Sequence, residues 1–135
     1  AEVARIIVAQ YLPGDSTREV MTVYASHLPV GTGVRIRPNS NRNGPHLPPP
    51  VYRVANSAWL FVIDRNTMAK WAHDVTYVLV PTDGSPHIVY DERAWPLIEE
   101  KPLWFLNGHM EARASYIVFE GLIAAAWRDG GRTFP

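Results

Sequence analysis

The chain has no cysteine among its 135 residues. This absence excludes disulfide bonds, thiolate metal ligands, iron–sulfur clusters and a cysteine nucleophile. No segment approaches the roughly 18 consecutive apolar residues of a membrane-spanning helix, so we expect no membrane partner. Charged residues make up 19% of the chain and hydrophobic residues 47%. That composition is typical of a packed globule and not of a disordered segment.

The first third of the chain predicts a strand–helix–strand unit. Residues 3–10 are rich in β-branched side chains and predict a strand. Ser16 and Glu19 have the spacing of a capping box, and apolar residues follow with helical periodicity, which predicts a helix over 17–28. A second strand is expected at 33–37. This order is compatible with a right-handed crossover.

The middle of the chain predicts a group of antiparallel strands. Residues 58–64 are apolar up to their last position, as in a central strand. Asp83-Gly84 lies between two apolar runs and indicates a hairpin. Capping side chains at the start of residues 66–73 predict a short helix. The strands predicted here are 51–55, 58–64, 75–81 and 86–90.

The last third of the chain fits two assignments, a helix or a strand. Two prolines bracket residues 97–100, which leaves room for one helical turn. Asn107 can cap a final helix over 109–128, whose apolar positions and Ala-rich run favour a largely buried helix. The alternative is a strand over 115–123, because this segment includes four residues of high β-propensity.

These elements together predict an α+β fold. We expect a mostly antiparallel sheet of five to six strands, with the N-terminal strand–helix–strand unit and the C-terminal helix. The length predicts a single globular domain over residues 1–135. A long Pro/Asn-rich loop at 38–50 interrupts it, and loops of this length are often functional. The loop could also serve as an arm between subunits.

Charge is distributed unevenly along the sequence. Residues 20–63 contain no acidic residue, and the formal charge is +3 over residues 1–63 and −3 over residues 64–135. Because arginine binds carboxylates and phosphates with a two-pronged geometry, this region is a candidate binding surface. It could contact an acidic face of another subunit or bind phosphates, or it could be a solvated strand face. The arginines concerned are Arg35, Arg37, Arg42 and Arg53.

Two tryptophans lie in a segment that prolines divide into short pieces. Trp95 and Trp104 belong to residues 94–106, where apolar side chains either plug a sheet or form the centre of an interface. We therefore add both to the candidate binding residues.

The end of the proline-rich loop contains a short interaction motif. Residues 49–52 read Pro-Pro-Val-Tyr, a pattern that WW domains bind in the polyproline II conformation. Such binding requires an exposed, extended segment. A strand beginning at Val51 would instead hide Tyr52.

Histidine and carboxylate residues suggest an alternative, catalytic site. His73, His109, Glu111 and Arg65 could perform acid–base chemistry on a phosphodiester if the fold brings them together, because histidine titrates near neutral pH. The structural alternative is that His73 pairs with Asp74. The sequence has no metal-binding spacing and no phosphate-binding glycine loop, so we expect no metal and no cofactor.

The leading hypothesis is a non-enzymatic structural or assembly protein, such as a small virion component. It would self-associate through complementary charged and aromatic surfaces, as a homo-oligomer or a larger assembly. One alternative is a small hydrolase or nuclease-like enzyme that uses His/Glu/Arg chemistry. Another, less favoured, is an arginine-mediated nucleic-acid-binding module. The absence of cysteine favours a cytoplasmic or virion-associated location over secretion.

Overall fold

The regular secondary structure in the described part of the chain is β-strand, joined by turns and irregular segments. The computed structural model describes residues 10, 21–39, 50–65, 74–103, 116–120, 126–129 and 132–133. These ranges hold eleven strands and no α-helix, and therefore no helix of the length and apolarity that a membrane crossing requires. The strands are β1 (Thr22–Ala25), β2 (Arg35–Pro38), β3 (Tyr52–Arg53), β4 (Ala58–Asp64), β5 (Val75–Pro81), β6 (Ile88–Glu92), β7 (Pro96–Ile98), β8 (Lys101–Pro102), β9 (Ile117–Glu120), β10 (Ala126–Asp129) and β11 (Arg132–Thr133).

The strands form two sheets, and neighbouring strands are antiparallel throughout the described ranges. The larger sheet has seven strands in the order β11-β10-β9-β1-β4-β5-β6, and the smaller has four in the order β3-β2-β7-β8. Strand β1 pairs with β4 on one side and with β9 on the other. It therefore joins an early segment of the chain to a late one.

The centre of the larger sheet is the pair β4–β5, as the sequence predicts for residues 58–64 and 75–81. Both strands are apolar along most of their length, so both of their faces can be buried. Their register runs from Ala58 opposite Pro81 to Asp64 opposite Val75. The predicted hairpin between β5 and β6 is also present, and Gly84 has a positive φ of 83° in its connecting turn.

Apolar side chains are buried on both faces of this pair. One face packs toward the smaller sheet, where Tyr77 of β5 shares a cluster with Ile36 of β2 and Ile98 of β7. The opposite face carries a second cluster that includes Phe61 and Val78, which lie opposite each other in the register. The core thus has two layers, with β4 and β5 contributing to both.

The predicted helix over 17–28 is wrong in its described part. Residues Thr22–Ala25 form β1, and all four are buried. Hydrogen bonding from strands on both sides outweighs the helical spacing of the apolar residues, and β-branched Thr22 and Val23 fit a sheet well. The capping box and the expected strand at 3–10, apart from residue 10, lie outside the described residues.

The predicted C-terminal helix over 109–128 is also wrong where it can be compared. Residues Ile117–Glu120 form β9 and Ala126–Asp129 begin a hairpin with β11. The alternative strand over 115–123 agrees with β9, because the β-branched and aromatic residues there pair with β1 and β10. The C-terminal segment therefore extends the larger sheet.

The remaining corrections concern short segments. Residues 97–100 do not form a helical turn, because β7 and β8 pair as a hairpin there. The strands expected at 33–37, 51–55 and 86–90 are present as β2, β3 and β6 with shifted bounds. The helix expected at 66–73 lies outside the described residues. The described part is an antiparallel all-β structure, not the predicted α+β fold with five to six strands.

Truncation of a core side chain tests this two-layer packing. Leu60 is fully buried in β4, whereas 58% of Leu28 is exposed. We expect Leu60→Ala to lower the free energy of unfolding by about 2–5 kcal/mol, because it removes buried methyl groups and leaves a cavity. The matched variant Leu28→Ala should change it by less than about 0.5 kcal/mol. Urea unfolding followed by circular dichroism measures both, and equal effects would contradict this packing.

Candidate functional site

Two carboxylates lie in one row across the end of the larger sheet. Asp64 of β4 is opposite Val75 of β5, and Val75 is in turn opposite Glu92 of β6. Directly opposed residues in antiparallel strands share a face, so both carboxylates are on the side of the smaller sheet. Each residue is only 3% exposed. This end of the sheet therefore carries buried negative charge beside the apolar core.

A hydrogen-bonded chain of three side chains occupies the next row. Arg65 donates from Nε to the Thr76 hydroxyl oxygen at 3.1 Å, and that hydroxyl donates to Asp91 Oδ1 at 3.0 Å. The register places Thr76 opposite Asp91, on the face away from Glu92. The backbone N–H of Arg65 also donates to the carbonyl of Asp74 at 3.2 Å. These bonds fix Arg65 and Asp91 beside the edge of the sheet.

The same residues line an open cleft of about 270 Å³. The lining residues include three acidic residues and one arginine, a formal surplus of two negative charges. The volume is just below the roughly 300–1,000 Å³ typical of small-molecule pockets. Such a cleft suits a single cationic group, such as a guanidinium or an ammonium. The lining residues are Arg65, Asp74, Val75, Thr76, Asp91 and Glu92.

Tyrosine side chains connect Glu92 to the smaller sheet. Tyr52 of β3 stacks on Tyr90 of β6 with ring centroids 3.9 Å apart, and its hydroxyl donates to Glu92 Oε2. Burial raises the pKa of Tyr77 well above its usual value, and the charge of Glu92 adds to this effect. Tyr52 is thus engaged within the protein, which argues against the WW-ligand hypothesis for residues 49–52.

Two of the candidate binding arginines form internal ion pairs. Arg35 Nη2 lies 3.0 Å from Glu99 Oε2, and the backbone N–H of Arg35 donates to Glu99 Oε1 at 2.9 Å. Arg37 Nε donates to both oxygens of Glu100, at 3.0 and 2.8 Å. These hydrogen bonds hold the pKa of each glutamate below its usual value and raise the pKa of each arginine. Part of the positive charge of the first half of the chain is therefore neutralised by acidic residues of the second half.

The other candidate binding residues differ in their surroundings. Arg53 is exposed on β3, directly opposite Arg35, and forms no ion pair within the described residues. The ring of Trp95 packs edge-on against that of Tyr24, with ring centroids 4.6 Å apart, and contacts the core. Trp95 is therefore part of the packing between the strands. Arg42 and Trp104 lie outside the described residues. The structure thus brings Arg35, Arg37 and Arg53 together and directs Trp95 elsewhere.

Only one of the four residues of the catalytic hypothesis belongs to the described part of the chain. Arg65 lines the cleft, whereas His73, His109 and Glu111 lie outside the described residues, so that hypothesis stays a prediction. Asp91 and Glu92 are not among the site residues predicted from the sequence. Their position directly after the apolar residues of β6 is the signal that could have found them. No group of three or more metal-binding side chains occurs in the described ranges.

Comparison of the chain with protein-family models, with curated proteins and with solved structures finds no match.

Removal of one hydroxyl tests the connection between the two sheets. We expect Tyr52→Phe to lower the free energy of unfolding by about 1–2 kcal/mol, because buried Glu92 loses a donor. Tyr90→Phe keeps the stacked pair and serves as the matched control, with an expected change below about 0.5 kcal/mol. Chemical unfolding measures both, and a larger effect for Tyr90→Phe would contradict this arrangement.

The ion pairs of Glu99 and Glu100 predict a dependence of stability on pH. Because their folded pKa values lie below the unfolded value of about 4.3, their contribution is complete above that pH and is lost as the pH falls through the folded values. Thermal unfolding of the wild type and of E99Q/E100Q should give a higher Tm for the wild type near neutral pH. The difference should shrink as the pH falls below the unfolded value and should vanish once both carboxylates are protonated in the folded protein. A difference that persists at lower pH would show that charge is not its cause.

Proposed function

We propose that the protein is a non-enzymatic assembly protein that self-associates head to tail. In each contact the exposed Arg53 of one copy enters the acidic cleft of the next copy. The observation that carries the proposal is the surplus of negative charge in a cleft of about 270 Å³. Guanidinium groups bind carboxylates with two parallel hydrogen bonds, so an arginine is the cation that fits this lining best.

The position of the cleft supports a protein partner. Strand β6 contributes Asp91 and Glu92 and is the last strand on its side of the larger sheet in the described ranges. A neighbouring molecule can therefore approach the cleft from the sheet edge. Arg65, Thr76 and Asp91 are already joined by hydrogen bonds, so little side-chain order has to be gained when a cation binds.

The state of the arginines supports Arg53 as the donor of that cation. Arg35 and Arg37 are engaged with Glu99 and Glu100, whereas Arg53 projects from the smaller sheet without an ion pair in the described ranges. A contact between different surfaces of identical chains is heterologous and forms rings or open chains. Its charge pairing should weaken as salt screens the approach of the copies.

Mixing of two complementary variants tests this contact. Arg53→Glu removes the cation, and Asp91→Arg removes the negative charge of the cleft. Each variant alone should be monomeric, with the mass of one 15.2 kDa chain in light scattering. An equimolar mixture should form dimers and stop there, because the Asp91→Arg chain offers its native Arg53 to the native cleft of the Arg53→Glu chain. The wild type should be larger than a dimer at the same concentration.

Controls separate this contact from general charge effects and from unfolding. Asp83→Arg, at an exposed residue of the β5–β6 turn, adds the same charge away from the cleft and should leave association unchanged. Thermal unfolding shows whether each variant is folded. A wild-type chain that stays monomeric at high concentration and low salt, or a mixture that forms no dimer, would contradict the proposal.

A further inference from the structure

The hairpin between β7 and β8 has an unusual turn. Ile98 pairs with Lys101, so only Glu99 and Glu100 connect the strands. Their φ angles are 48° and 68°, both in the left-handed region. Two-residue hairpin loops with positive φ at both positions favour Asn-Gly or Gly-Gly, because the Cβ atom of other residues crowds the following carbonyl oxygen there. Two consecutive glutamates are therefore a strained choice for this turn.

The carboxylates of this turn accept the hydrogen bonds of two arginine side chains. Arg35 and Arg37 alternate with buried Ile36 along β2 and so project from one face of the smaller sheet. Glu99 receives hydrogen bonds from the Arg35 backbone N–H, Nε and Nη2, at 2.9, 3.3 and 3.0 Å. Glu100 receives two from Arg37 Nε and lies 2.6 Å from Nη2. Each carboxylate therefore takes the place of an external anion.

We propose that Arg35 and Arg37 form a binding site for phosphate groups, which the Glu99–Glu100 turn masks with its own carboxylates. A guanidinium group that donates two parallel hydrogen bonds to a carboxylate can donate to a phosphate in the same way. Arg53 lies opposite Arg35 and adds a third positive charge, so the arginines outnumber the masking glutamates. The site is distinct from the acidic cleft. It shares Arg53 with the proposed self-association contact, but it rests on Arg35 and Arg37, which that contact does not use.

The Glu99–Glu100 turn is exposed and strained, so an external anion can replace its carboxylates at the arginines. The side chains of Glu99 and Glu100 are 46% and 58% exposed, so water and an incoming anion can reach both ion pairs. Exposed ion pairs are weakly held, and salt screens them further. Departure of the carboxylates also frees the turn to leave its strained conformation. A phosphate ligand therefore replaces weak internal bonds and does not have to open a buried core.

Removal of the masking charges tests the site. E99Q/E100Q keeps the length of both side chains but weakens their bonds to the arginines. We expect it to bind inorganic phosphate about tenfold more tightly than the wild type in isothermal titration, because phosphate no longer competes with a charged carboxylate. A second titration uses a short single-stranded DNA. If E99Q/E100Q gains affinity for inorganic phosphate alone, the ligand is a free phosphate group. If it also gains affinity for the DNA, the ligand is a phosphodiester backbone.

A matched variant distinguishes a shaped site from general attraction. E99Q/E100Q/R35K/R37K has the same net charge as E99Q/E100Q but lacks the two-pronged guanidinium. We expect this variant to lose most of the gained affinity. Equal binding by the two variants would overturn the proposal, because charge alone would then explain it. An unchanged affinity of E99Q/E100Q for both ligands, with the variant folded by circular dichroism, would also overturn it.

Discussion

The burial of both faces of the β4–β5 pair is the constraint on which the rest of the described structure depends. A strand pair that is apolar on both sides needs cover above and below as well as partners along its edges. Strands β1 and β6 supply the edges, and the smaller sheet covers one face through residues such as Ile36 and Ile98. Because the interior of the pair is apolar, polar groups collect where its strands end. The acidic cleft lies at such an end.

The zero net charge of the chain hides a local pattern of pairing. Arg35 and Arg37 come from the basic first half of the sequence, and Glu99 and Glu100 come from the acidic second half. The smaller sheet brings these residues together, so part of the opposite charge is neutralised inside one molecule. What remains for an external partner is more restricted than the sequence halves suggest. In the described residues it includes the acidic cleft and the exposed Arg53.

The sequence predicts those elements whose signal is local. Strands β4 and β5 are long apolar runs, and their burial on both faces needs no knowledge of their neighbours. Strand β1 could not be predicted in this way, because its apolar residues also fit a helix and its two partners lie far along the chain. The same limit applies to the site. The side-chain chemistry of Arg65 is enough to predict it as a site residue. The hydrogen bond between Thr76 and Asp91 depends on the β5–β6 register, which residue types alone do not fix.

The position of β1 also determines the order in which the sheet can be completed during synthesis. Thr22 pairs with Asp64 and with Glu120, so the two edges of β1 are satisfied by segments made at very different times. The meander β4–β5–β6 can pair with β1 as soon as residue 92 has left the ribosome. The other edge of β1 then stays open until β9 emerges, and an open strand edge can pair with another nascent chain. The interval between these two events is therefore a period in which the folding chain can pair with a second copy at this edge.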